Sequence, residues 1–133
     1  MARYQSFRKD GKVSLWLRVG TPDLEAEKGV DILKDWCGVE HYDLDNQELS
    51  AIDNSFPRTA VAELIGLLSY SSSFSAPAVE AAARRKVSEA YWALAQYDFA
   101  YDPKRARGAV AADVIFLGVF DWNDSEDDEL EAS

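Results

Sequence analysis

The sequence predicts a single α+β domain, with a mainly antiparallel sheet from an N-terminal strand and a C-terminal hairpin, packed by about three helices. Three observations carry that expectation. Strand-type alternation is confined to the two ends, at 12–19 and again at 90–101 and 113–122. Helical spacing of apolar residues fills the interval between them. Strands and helices do not alternate regularly, which argues against a doubly wound parallel sheet. A chain of 133 residues, 47% of them hydrophobic, can bury one proper core, so disorder is expected only at the ends.

The first element is KVSLWLRV at 12–19. Val13, Leu15, Leu17 and Val19 alternate with Ser14, Trp16 and Arg18, the period of a strand, and Trp16 predicts that its second face is partly covered. Gly20 ends the strand. Thr21-Pro22 then reads as an N-cap followed by proline at the first helical position, with Asp23 and Glu25 suiting the positive end of the dipole. Leu24, Ile32 and Trp36 share the stripe of this expected helix, Gly29 weakens it, and Gly38 is a candidate C-cap. Val39-Glu40-His41-Tyr42 reads as a short strand, followed by an acidic, turn-rich segment.

Pro57 opens a second expected helix, with Val61, Leu64, Ile65 and Leu68 on one face. A serine-rich break leads to a third at 77–87, where alanines favour helix. The aromatic run at 90–101 and the run DVIFLGVFDW at 113–122 read as strands joined in an antiparallel hairpin by the basic link DPKRARGA. The domain is placed at 1–122, and residues 123–133 read as an acidic, disordered tail or as an arm extending electrostatic reach.

Charge and chemistry point to binding. The net charge is −10, and residues 21–63 hold eleven acidic side chains against three basic ones. Such a field suits an electropositive partner and opposes direct contact with nucleic acid or anionic membrane. No apolar run approaches the roughly 18 residues of a membrane span. The basic N-terminus lacks the apolar stretch of a secretory signal, and the lone Cys37 forms no internal disulfide, so a cytoplasmic location is expected.

Candidate catalytic and metal motifs fail at their specific positions. Asp43, Asp45 and Gln47 have the spacing that opens a calcium loop, but Glu48 stands where glycine is needed and Asn54 where glutamate belongs. Cys37 and His41 lack the further ligands of a zinc site and the third group of a nucleophilic triad. The serine run lacks the glycines of a nucleophile elbow, and no phosphate loop is present. With 24 acids, some carboxylate pair is always close, so pairing alone means little. The basic clusters 84–86 and 104–107 read as internal ion-pair partners or solvated ends; a nucleic-acid patch is the sharper alternative. No cofactor and no enzymatic activity are expected.

The segments KVSLWLRVG, VEHYDLDNQEL, LLSYSSSF, AQYDFAY and VIFLGVFDW, taken in order, resemble the immunity protein 22 family of bacterial polymorphic toxin systems. The resemblance spans 13–122 and rests on ordered co-occurrence, closest in VSLWL, YDFAY and the FLG turn. The acidic helix is less typical, and the basic loop at 104–108 and the tail are particular to this chain. It implies a non-enzymatic antidote that binds the effector domain of a cognate toxin. The acidic charge suits a basic toxin such as a nuclease, whose active site must attract phosphate. An acidic DNA mimic or regulatory adaptor that binds basic proteins is the competing reading.

Within 36–48, and including its last residue, the expected toxin-binding residues are Trp36, Glu40, Tyr42, Asp43, Asp45 and Glu48. Trp36 and Tyr42 could instead seal the first helix to the sheet. Asp43, Asp45 and Glu48 are poor core residues, and binding and plain solvation account for them equally well.

Overall fold

The computed structural model describes residues 7–23, 25–53, 55–106, 111 and 113–123. Leu24 of the expected helical stripe, Arg107 and Gly108 of the basic link, and the tail from residue 124 onward lie outside them.

Strand β1 (Arg8–Arg18) is the spine of the molecule. Val13, Leu15 and Leu17 point to one side and Trp16 to the other, and all four are fully buried. A strand buried on both faces belongs in the middle of a sheet. It pairs antiparallel with β5 (Trp92–Phe99) on one side and β6 (Val114–Asp121) on the other. Strand β2 (Gln47–Ser50) completes the order β2-β5-β1-β6. The α+β class and the mainly antiparallel sheet therefore stand, but the expected C-terminal hairpin does not. β1 separates β5 from β6, so these two run parallel and the link between them crosses over rather than turning back. The double-sided burial of β1 is the physical reason: an edge position would leave Trp16 half in water.

Helix α1 (Val61–Gly66) and helix α2 (Ser75–Arg84) cover one face of the sheet. Val61, Leu64, Ile65 and Leu68 are buried as their spacing predicts. The helix starts later than Pro57 because Thr59–Ala60 (β3) pairs with Glu89–Ala90 (β4) in a separate two-stranded sheet. The Val61 N–H donates to the Ser88 carbonyl at 2.9 Å, satisfying one of the donors a helix start leaves open. Small side chains set the layer spacing. Ala78, Ala81 and Ala82 of α2 and Ala93 and Ala95 of β5 all lie in this core. The expected strand at 90–101 is thus divided between two sheets.

The opposite face is covered by irregular chain rather than helix. Trp16, Leu33, Cys37, Trp92, Leu94 and Tyr101 form a second core there. The long helix expected from Pro22 is replaced by a turn and a five-residue π-type turn at Ile32–Trp36. Gly29 explains this, because it sits at φ +79°, outside right-handed helix, whereas Gly38, at φ +71°, closes the end of the short turn, the position of its expected cap. A second cause is Arg18, which is buried. Its guanidinium donates to both Glu27 carboxylate oxygens at 3.0 and 2.9 Å, and to the Gly20 and Thr21 carbonyls at 2.7 and 3.1 Å. The Trp36 ring stacks over it at 5.1 Å. Those contacts hold Gly20, Thr21, Glu27 and Trp36 against the strand. Residues 39–42 are not a strand either; a 3-10 turn at Leu44–Asn46 leads directly into β2.

Candidate acidic groove

One end of the sheet, where β5 finishes and β2 begins, carries two adjoining hollows. The first, of about 630 Å³, opens on the loop-covered face between Tyr42, Asp43 and Leu44 on one wall and Phe7, Arg8 and Phe99 on the other. The second, of about 380 Å³, opens on the helix-covered face between Asp45 and Glu48 and the rings of Tyr70 and Trp122. Asn46, Tyr97 and Asp98 line both, so the hollows meet over the sheet end.

Local structure explains this placement. The Asp43 carboxylate caps the Asp45 N–H at 3.0 Å, and the Asp43 carbonyl accepts from Gln96 Nε2 at 2.7 Å. That pins the 3-10 turn to the middle of the sheet and lifts Asp43, Leu44 and Asp45 into solvent. Asp98 adopts φ +55°, a conformation costly for a non-glycine residue, and its Oδ1 accepts the Gly11 N–H at 2.9 Å. The register between β1 and β5 shifts at this point. The shift sends Phe99 to the loop-side core while Tyr97 stays on the helix side.

The six expected binding residues are not all brought together. Tyr42 and Asp43 line the first hollow, and Asp45 and Glu48 line the second. Glu40 lines neither. Trp36 lies elsewhere, packed on Arg18, walling a separate cavity of about 250 Å³, and accepting the Ala111 N–H through its carbonyl. Glu48 is held internally: its carboxylate accepts from the Ser69 N–H and Tyr97 hydroxyl, both at 2.8 Å, and from Ser69 Oγ at 3.1 Å. It therefore fixes β2 to the end of α1 while keeping its charge at the groove. The Tyr42 hydroxyl donates to Asp31 at 2.8 Å, and burial, then that bond and the Asp31 charge, push it up to about 12.

Sequence reasoning missed Asp98, Tyr70 and Trp122. Asp98 carried a signal, since an aspartate inside an aromatic strand marks an interruption of the ladder. Tyr70 and Trp122 carried none, because only the fold brings the end of β6 to the turn after α1. Cys37 and His41 sit in different surroundings. Cys37 is fully buried, burial and then the Asp31 charge push its thiol up to about 12, and His41 is exposed. Among the described residues, no three His, Cys, Asp or Glu side chains converge to hold a metal ion, and no helix is long and apolar enough to cross a membrane.

Compared with known protein families, curated proteins and solved structures, the chain matches none.

Proposed function

We propose that the protein is an immunity protein, an antidote that binds a cognate toxin domain and covers its active site or substrate surface. The observation that carries this reading is the groove. Asp43, Asp45, Glu48 and Asp98 gather around two concave, aromatic-walled hollows at one end of the four-stranded sheet. Such a surface offers steering charge together with apolar area to desolvate, the combination a tight protein contact needs. Its sign suits a basic toxin, and a nuclease is the natural class, since an enzyme that attracts phosphate also attracts carboxylates. The ordered resemblance to the immunity protein 22 family supports the same conclusion.

Growth rescue tests it. The toxin domain encoded beside this gene is expressed with and without the protein, and the pair is co-purified. Rescue with a stable complex is expected. Neutralising the exposed carboxylates in D43N/D45N should slow association by about tenfold at low salt, with the difference shrinking as salt rises. Absence of both rescue and complex would move the acidic surface to the adaptor reading.

A further inference from the structure

The helix-side hollow differs from its neighbour in a way that selects a ligand. Three rings from three parts of the chain close it: Tyr70 from the turn after α1, Tyr97 from β5 and Trp122 from the end of β6. The Trp122 ring centroid lies 5.1 Å from Tyr70 and 5.0 Å from Tyr97, so the three form one continuous aromatic wall. Opposite stand Asp45, Glu48 and Asp98, and among the described residues no lysine, arginine or histidine lines this hollow. Among the described residues, none of those three carboxylates forms an ion pair, although six pairs occur elsewhere. The loop-side hollow, by contrast, is lined by Arg8 and His41.

The Trp122 end therefore favours a cation more strongly than the other end, where Arg8 and His41 stand beside Asp43 and Asp98. Of the two basic side chains, arginine fits better. Its plane stacks on aromatic faces, its fork of N–H donors meets carboxylate oxygens, and it sheds water more readily than an ammonium. Asp45 is exposed and Asp98 half-buried, so both can accept such donors, while Glu48 contributes charge from its fixed position. The hollow meets the larger one at Asn46, Tyr97 and Asp98, which leaves room for the residues flanking the arginine in the same segment.

We propose that the Trp122 hollow seats an arginine side chain of the protein's basic partner, stacked on the Trp122–Tyr70 wall and hydrogen-bonded to Asp45 and Asp98, with the flanking residues lying over Leu44 and Tyr42. The inference rests on the antidote reading only for the identity of that partner.

The test needs no knowledge of the partner. Blocked Gly-Arg-Gly, Gly-Lys-Gly and Gly-citrulline-Gly peptides are titrated into the full chain and followed by ¹H–¹⁵N NMR. The arginine peptide should move the Trp122 indole N–H and the amides of Tyr70, Asp45 and Asp98, and bind about fivefold or more tightly than its neutral citrulline counterpart. Asp98→Asn keeps an acceptor for the Gly11 N–H and tolerates the left-handed backbone, so its binding should weaken without loss of fold. W122L should weaken it as well. Equal shifts from the citrulline peptide, shifts centred on Arg8 and His41, or none at all would overturn the proposal. In the growth assay, rescue unaffected by D45N/D98N would overturn the hollow's role and leave the antidote standing. Failure of the unaltered protein to rescue, with arginine still bound at Trp122, would overturn the antidote and leave the hollow.

Discussion

Arg18 shows most clearly how one residue decides a region. Its side chain is 5% exposed, yet Glu27, two carbonyls and the Trp36 face meet its charge and donors. A buried pair is weak evidence for stability, but removing one member strands the other. Arg18→Met should therefore cost about 3 kcal/mol in urea unfolding, with proteolysis appearing first within 19–36. Glu27→Gln keeps an acceptor and should cost less. Little of this was legible beforehand. Arg18 read as the polar side of a strand, and nothing in its neighbours announces that Glu27 folds back to it. Trp36, legible as a choice between core and surface, lands on the core side for the same reason. Glu48 is a harder case, since its partners Ser69 and Tyr97 come from distant segments.

Elements with a strong local signal formed where expected. α1 and α2 and the strand cores carry their period in the sequence, and only their ends moved. α2 stops at Arg84 because the chain closes a Schellman turn. The Val87 N–H donates to the Ala82 carbonyl at 3.0 Å and the Lys86 N–H to Ala83 at 2.9 Å. Lys86 occupies the left-handed position at φ +61°, where glycine is the usual residue. Lys86→Gly should stabilise the protein by about 0.5–1 kcal/mol, read as a shift in thermal midpoint, because the side chain is exposed and only strain is removed. The expected helix from Pro22 failed for the converse reason. Its internal Gly29 takes a left-handed value, and tertiary contacts outweigh a weak propensity. The expected hairpin failed because linker length and composition do not reveal which strand lies between two others.

At the scale of the whole molecule, the sheet separates a helical layer from an irregular one, and the two should respond differently to pH. Cys37, Tyr42 and Tyr101 all belong to the irregular layer or pack against it. Burial leads in raising each to about 12, from ordinary values of 9.0 for the thiol and 10.0 for the phenols. Cys37 and Asp102 add to the effect at Tyr101, whose hydroxyl donates to the Cys37 carbonyl at 2.7 Å. The fold thus favours the neutral forms. Their contribution is complete below pH 9.0 and is lost as pH climbs from there through about 12. Urea midpoints should be level from neutrality to that threshold and then fall, and Tyr42→Phe should flatten part of the decline. The overall class was legible because composition and the clustering of strand patterns at the chain ends do not depend on strand order. The groove was not, since it exists only where β5 and β6 end beside the start of β2. The central place of β1 has one more consequence, and it concerns synthesis. Strand β1 is buried on both faces, yet its neighbours Trp92–Phe99 and Val114–Asp121 follow it only after a long stretch of chain. A nascent chain must therefore carry Trp16 and Leu17 unpaired until both of those strands have been made. Long-range pairing of this kind is slow and leaves early intermediates prone to aggregation, which makes chaperone holding a condition of yield.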